Sequence, residues 1–504
     1  ATDNNAYNPA LYLSRAQAYL DLDFPDLASG DAYRAVLLTD YVRDYLEEGE
    51  LTTSPPSPDD DDEREDAEEF RAATHAWKFI TASSTPLETL EQSSLHLLAH
   101  SLHLVGCTEE ATSYLRLALR RFPSSPHLTG LQAQVSAGVG GAGGKSRRFV
   151  YPWNHHEPDR FSKETLEYLN TQVVPASSKN IEVRVVSLPL LSDDGRDLGT
   201  TKQLGVFATE DIAPGEMCLC EESALTVVTD PVDGGLCEYC GQRYSHTTET
   251  FTCETCSDAE AEGIETIVPV WCSSHCRDSA MAKYHPAICT RPIAPLHRAA
   301  ATNSPGKITK LTNTSQPGGS VYALLLLKTF AMALVQNLHP LELPETKYLY
   351  GVPPVELAGD LKIGWGWEEN VRGAVGILEA LGVDVFTGTH HLSTDACPEW
   401  WDTWVVNTLI AKFRGVASGR LDSRGQTEAA AAHTLYSLVN HDCEPNVRWE
   451  CGGIMKFWGE GEGVRKGEEL KSCYCDKRLG VKERREWMLG CLGGWCRCER
   501  CLRE

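Results

Sequence analysis

Four short pairs of metal-ligating residues follow one another in this sequence: Cys237-x2-Cys240, Cys253-x2-Cys256, Cys272-x3-Cys276 and His285-x3-Cys289. Two ligands so closely spaced can reach one tetrahedral ion, and four such pairs satisfy two ions with none left over. A lone Cys-x-x-Cys could instead be a redox pair; four pairs in a row argue for zinc. Further along stands Asn440-His441-Asp442-Cys443-Glu444-Pro445-Asn446. Beyond it come Ser472-Cys473-Tyr474-Cys475-Asp476 and then Cys496, Cys498 and Cys501.

An acidic chain carries these groups. Among 504 residues, 71 Asp and Glu against 46 Lys and Arg give a formal net charge of −25. That balance argues against general affinity for nucleic-acid phosphates and for attraction to basic partners such as lysine-rich tails, although acidity also serves solubility. Length predicts about two to four domains. Ala1 to Asn5 are mostly polar with no basic flank, so no signal peptide is expected. The 19 cysteines are then expected as metal ligands and buried thiols, not disulfide partners. The longest apolar run, Val321 to Val335, is interrupted by Lys328 and is shorter than a membrane span. It predicts a buried helix.

The elements that must position these residues change in texture along the chain. Asn8-Pro9 suits a capped helix start, and Ala10 to Leu20 with Ala28 to Leu38 give helical spacing around a turn. The pattern recurs in Leu95 to Val105, a turn at Gly106, and Ala111 to Leu119. Pro55-Pro56-Ser57-Pro58 and Asp59 to Asp62 between the copies predict a solvated loop, and Gly138 to Gly144 a flexible linker. Thr165 to Asn170 suits a short helix. Ile181 to Val186, Gly205 to Thr209 and Glu216 to Val228 suit strands, the last two separated by a turn at Ala213-Pro214-Gly215. Ala294 to Gly319 has a linker's composition, and Val321 to about Leu381 is largely helical.

The Asn440–Asn446 stretch, with Leu204-Gly205-Val206-Phe207-Ala208-Thr209 before it and Tyr474 and the Cys-x-Cys-x-x-Cys after it, resembles the SET-domain protein lysine methyltransferases. Asp442 stands where that family usually has Ser. The order of the four ligand pairs resembles the MYND finger. By that resemblance one ion takes Cys237, Cys240, Cys272 and Cys276, and the other takes Cys253, Cys256, His285 and Cys289. The N-terminal helices resemble tetratricopeptide repeats. Together the layout resembles the SET-and-MYND methyltransferases, of a fungal-like type with the helices placed first.

The resemblance implies an α+β fold: a SET-domain β-fold with a pseudoknot, an inserted MYND-like zinc finger and a helical insertion, preceded by an α-helical region. The expected divisions are a helical region at 1–135, a linker at 136–150, the first SET part at 151–236, the finger at 237–289, linker and insertion at 290–390, the core at 391–490 and a zinc segment at 491–504. S-adenosylmethionine is expected against Lys202, Leu204, Gly205, Phe207, Asn440 and His441. Only the second glycine of the family's Gly-x-Gly stands in Gln203-Leu204-Gly205. Tyr474 takes the catalytic position, with Cys473 and Cys475 as core thiols. A third zinc site would join Cys443 to Cys496, Cys498 and Cys501, making about three ions per chain, and Trp495 would wall the lysine channel.

The implied function is methyl transfer to a lysine of a histone or a basic non-histone protein, in cytoplasm and nucleus, with no membrane and no direct nucleic-acid partner. The alternative is a non-catalytic adaptor that uses the finger and helices to bind peptides. A nucleic-acid-binding zinc protein is disfavoured by the acidic balance.

Overall fold

The first helix starts where its cap dictates. The Asn8 side chain accepts from the backbone N–H of Ala10 at 3.1 Å, Pro9 sits in the first turn, and α1 spans Pro9–Asp21. Asp23, at φ 62°, turns the chain into α2 (Pro25–Glu47), followed by α3 (Ala67–Ala82), α4 (Leu87–Val105), α5 (Thr108–Arg121) and α6 (Pro126–Ala137). Both helical pairs expected from the spacing are present as α1–α2 and α4–α5. Helix α3 adds an apolar face of Phe70, Ala73, Ala76 and Ile80 that the sequence reading passed over.

The computed structural model describes residues 5–51, 67–83, 85–138, 151–191, 197–223, 225–232, 234–245, 247–302, 321–350, 365–393, 395, 397–451, 453–492 and 496–504. The solvated loop expected at 55–62, the glycine-rich residues 139–144 and the whole 303–320 stretch lie outside them. The chain divides into two compact units, one of which gathers α1–α6 together with Lys362–Asn407. The stretch expected as one insertion at 290–390 is therefore split between the units. The physical reason is aromatic and polar packing that periodicity does not reveal. Trp367 meets Tyr33 and Tyr114 edge-on, at 5.0 and 5.8 Å between ring centroids. Asn407 donates to the buried carboxylate of Asp26 at 3.1 Å.

The second unit holds Val150–Lys310, Gly318–Leu361 and Thr408–Glu504. The expected short helix is present at Lys163–Tyr168. Ten strands follow: β1 (Ile181–Leu191), β2 (Asp197–Ala208), β3 (Met217–Glu222), β4 (Thr226–Val228), β5 (Ser418–Leu421), β6 (Thr427–Ala431), β7 (Asn440–His441), β8 (Val447–Glu450), β9 (Ile454–Gly459) and β10 (Lys471–Ser472). β1 and β2 form an antiparallel hairpin with Arg184 opposite Gly205. The other sheets run β3-β9-β8, β4-β6-β5 and the parallel pair β10-β7. The strand expected over Glu216 to Val228 is broken at Ser223, whose hydroxyl donates to Ala432 O, so its halves join different sheets. Ile181, Val183, Leu204, Val206, Leu219, Leu438, Val439, Val447, Phe457 and Leu470 share one core.

Part of the presumed linker is helical, at Ala294–Thr302; its Ser/Thr/Pro composition hid a short apolar face. The apolar run is the helix Val321–Gln336, buried on almost every side, and among the described residues no helix is long and apolar enough to cross a membrane. Within it Lys328 Nζ donates to Thr226 O at 2.6 Å and Glu238 Oε1 at 3.0 Å. Glu238 Oε2 accepts from Trp271 at 3.1 Å and from Tyr284 at 2.5 Å. Burial pushes the Glu238 carboxyl up, but Lys328 and these donors outweigh it and hold it below the usual range. This satisfied pair ties the cysteine-rich 237–289 segment to the helix.

Lys328→Met leaves Glu238 charged and uncompensated, and is expected to destabilise the protein by about 3–5 kcal/mol. Lys328→Met with Glu238→Gln is expected to lose less, because no buried charge remains. Urea unfolding of both variants measures the difference.

Candidate functional site

Three quartets of ligand atoms come together in the second unit. Cys237, Cys240, Cys272 and Cys276 form one, Cys253, Cys256, His285 and Cys289 another, and Cys443, Cys496, Cys498 and Cys501 the third. A tetrahedral ion with bonds of about 2.3 Å to sulfur needs sulfurs about 3.8 Å apart. Cys240–Cys272 and Cys272–Cys276 are each at 3.7 Å. Cys253–Cys289 is at 3.8 Å and Cys256 to His285 Nε2 at 3.7 Å. Cys443 lies 3.8 Å from Cys496 and 3.5 Å from Cys501. Burial holds His285 below its ordinary pKa, which keeps its ligating nitrogen free of a proton at neutral pH. The donor sets and spacings fit zinc.

The third quartet joins Cys443 to sulfurs 53 to 58 residues further along, which only folding brings close. Buried thiols resist ionisation, as Cys496 shows, pushed by its burial to about 12; four thiolates there need a compensating cation. Arg484, with a fully buried side chain, donates to Cys501 Sγ at 3.4 Å and to Glu504 at 2.8 Å. Arg485 donates to Cys501 O at 2.6 Å and Arg500 to Lys477 O at 2.9 Å. Arg485 thus holds the C-terminal arm by its backbone, Arg484 by its side chains, and Arg500 reaches from the arm to the Lys477 carbonyl.

The Asn440–Asn446 stretch threads against the segment that carries Tyr474. β7 pairs in parallel with β10, Asn440 opposite Lys471 and His441 opposite Ser472. Asn446 extends this two-residue ladder with its side chain, accepting from Lys471 N at 2.8 Å and donating to Glu469 O at 2.8 Å. Tyr474 follows in a bend, not in a strand. Its backbone N–H donates to His441 Nδ1 at 3.1 Å, and its hydroxyl donates to Val439 O. His441 Nε2 lies 3.3 Å from Cys443 Sγ. With Nδ1 accepting, the proton sits on Nε2 and points at the Cys443 sulfur. Both ring nitrogens thus face inward, so any cofactor contact from His441 falls to its backbone.

Asn440 donates to Leu204 O at 3.1 Å and to Glu469 Oε1 at 2.6 Å. A Cβ on Gly205 would lie 2.6 Å from that carboxylate oxygen and 3.3 Å from the Asn440 amide nitrogen, so only glycine lets the three pack together. Phe207 lies under the Arg184 guanidinium at 5.1 Å. Lys202 is an exposed strand residue opposite Ser187, apart from this cluster among the described contacts. Trp495 lies outside the described residues. Aromatic neighbours of Tyr474 are residues the sequence analysis missed. Tyr436 is 6.3 Å from Tyr474 and 5.6 Å from Trp449 between centroids, and Trp449 donates to Cys473 O at 3.1 Å. An aromatic four residues before Asn440 was the available signal; nothing in the spacing marked Trp449 or Glu469.

Glu221 of β3, 5% exposed, positions the approach to the motif. Its two oxygens accept from the N–H groups of Leu435 at 2.8 Å and Tyr436 at 3.0 Å. Burial outweighs these bonds and pushes the carboxyl up to about 7.

Two outcomes are expected. Metal analysis gives about three zinc ions per chain, falling to about two in Cys443→Ser. Between its ordinary value of 4.5 and about 7, Glu221 keeps in the folded state a proton that the unfolded chain has lost. Its contribution to stability is therefore full below 4.5 and disappears as pH rises through about 7. Relative to Glu221→Gln, the wild type is expected to lose about 3 kcal/mol across that window, read by urea unfolding at stepped pH.

No family model matches the chain. It is 24% identical over 331 residues to histone-lysine N-methyltransferase SET5 of Candida glabrata, covering 60% of this chain and 56% of the relative. A SET5 protein of Vanderwaltozyma polyspora is 38% identical over 72 residues, 14% of each chain. Histone-lysine N-methyltransferase ATXR4 of Arabidopsis thaliana is 34% identical over 79 residues, 15% of this chain and 24% of the relative. The chain thus spans about half the length of the first of these relatives and less of the others.

Proposed function

We propose that this chain transfers a methyl group from S-adenosylmethionine to the side-chain amine of a lysine in a histone or another basic protein. The observation that carries the proposal is the convergence of Tyr474 with His441, Asn440 and Cys443, and of Asn440 with Leu204 far upstream, joined by hydrogen bonds of 3.1 Å from Tyr474 N to His441 and from Asn440 to Leu204. The names of the relatives support the same reaction class. The core would be of SET type, its pseudoknot formed by the passage of Asn440–Asn446 beside the Tyr474 segment. The quartets between Cys237 and Cys289 would be a MYND-like finger.

When bound, the cofactor supplies a methyl carbon on a sulfonium. Leu204, Gly205, Phe207, Asn440 and the His441 backbone would hold it. Both N–H groups of Asn440 are engaged, so its amide oxygen and the Glu469 carboxylate are the acceptors left for a cationic group. The Tyr474 hydroxyl donates to Val439 O, and its oxygen would accept an N–H from the incoming amine and align it. The aromatic neighbours Tyr436 and Trp449 exclude water and favour the neutral amine, since burial lowers a lysine pKa. Alignment and desolvation are what an in-line displacement requires.

The same proposal places the protein in cytoplasm and nucleus. Its acidic surface would attract basic substrates, and α1–α6 and the finger would offer surfaces for peptides. Incubation with labelled cofactor and core histones or cell lysate is expected to give labelled protein, and Tyr474→Phe to give roughly a hundredfold less. Full labelling by Tyr474→Phe, or none by the wild type, overturns the scheme. Calorimetry is expected to show micromolar cofactor binding, about −8 kcal/mol, kept in Tyr474→Phe; absence of binding favours the adaptor.

A further inference from the structure

Most described cysteines outside the three quartets stand apart from one another, but two do not. Cys473 Sγ and Cys475 Sγ lie 3.9 Å apart, on either side of Tyr474. The bend at Tyr474 and Cys475 brings together side chains that an extended strand would hold further apart. Cys473 is partly exposed, so a small oxidant can reach it, and its thiol already points at Cys475 O, 3.0 Å away. Cys475 is 9% exposed and packs with Cys443, Cys496, Cys501 and Met488. Neither belongs to a complete quartet, although Cys475 is within ligand distance of His441 and Cys443.

We propose that Cys473 and Cys475 form a reversible disulfide that switches off the Tyr474 site, an inference whose regulatory half rests on the function proposed above. Hydrogen peroxide is the oxidant. The Cys473 thiolate attacks one peroxide oxygen, the O–O bond breaks, and protonation of the leaving hydroxide gives water and a sulfenic acid. Cys475 then attacks that sulfur, loses its proton and expels a second water. Two thiols are oxidised by two electrons and one peroxide is reduced to two waters.

Closure must bring the sulfurs from 3.9 Å to about 2.05 Å. The contraction falls on the bend that holds Tyr474 N against His441 and the Tyr474 hydroxyl against Val439 O. Displacing a reacting group by about 1 Å costs about a hundredfold in rate. A ring closed across a single intervening residue is strained, and strained disulfides are the readily reduced, regulatory kind.

The test uses the full, zinc-loaded chain. It is treated with graded hydrogen peroxide and alkylated with N-ethylmaleimide. Trypsin then cuts after Lys471 and Lys477, which places both cysteines in one peptide. A zinc-sensitive dye records metal release in parallel. The expected result is an unalkylated peptide lighter by two hydrogens, formed before zinc is released. Methyl transfer should fall about a hundredfold and recover with dithiothreitol. Cys473→Ser should keep its activity under the same peroxide and bind as much zinc as the wild type. A doubly alkylated peptide from inactivated protein, equal inactivation of Cys473→Ser, or zinc loss in Cys475→Ser that marks it as a ligand, each overturns the proposal. Should the reduced protein transfer no methyl group at all, the proposed function fails, while the peptide mass still decides whether the disulfide forms.

Discussion

One imidazole connects the two halves of the candidate site. His441 accepts from the backbone of Tyr474 on one side and faces the Cys443 sulfur on the other, at 3.1 and 3.3 Å. Its ring orientation and tautomer are set from both directions, so the position of Tyr474 depends on the integrity of the third quartet. The parallel ladder beside it is only two residues long, too short to hold a register alone. Asn446 adds side-chain bonds to the same partner segment, and the arginines of the C-terminal arm add theirs. Metal at the quartet would make this arrangement cooperative, because a closed tetrahedron restrains four chain positions at once.

Charge is distributed to match. The chain is strongly acidic overall, yet the buried cations stand where anionic groups concentrate. Arg484 faces the C-terminal thiols, and Lys328 faces Glu238. Each is bonded to backbone carbonyls or a carboxylate as well, the condition under which burying a charge is tolerable. The cysteine-rich 237–289 segment also approaches the strands closely at Gly453, where a Cβ would lie 1.5 Å from Cys240 O. With the Lys328 pair, that contact makes the segment part of the second unit and not a tethered appendage.

Much of this was legible before any coordinates. Ligand-type pairs separated by two or three residues announce themselves, since one local turn suffices to converge their side chains. The caps and turns of α1, α2, α4 and α5 were legible for the same local reason. Harder to see were helix α3, whose apolar face follows a strongly acidic stretch of sequence, and the Ala294–Thr302 helix, concealed by loop-like composition. The strand break at Ser223 was hidden because it depends on a hydroxyl bond to Ala432, a residue that no window around Ser223 contains.

The amino-acid sequence by itself determined which groups are available: twelve cysteine and histidine side chains able to ligate metal, a tyrosine between two cysteines, and an amide–imidazole–thiol stretch. Tertiary structure decided what each can do. It turned the His441 ring inward and set Glu469 beside Gly205 and Asn440. It supplied aromatic walls from Tyr436 and Trp449, and bent the chain so that Cys473 meets Cys475. Each of these outcomes is a contact between residues distant in sequence or a local bend imposed by such contacts. Side-chain chemistry is written residue by residue, but the direction in which a side chain points is fixed by everything packed against it.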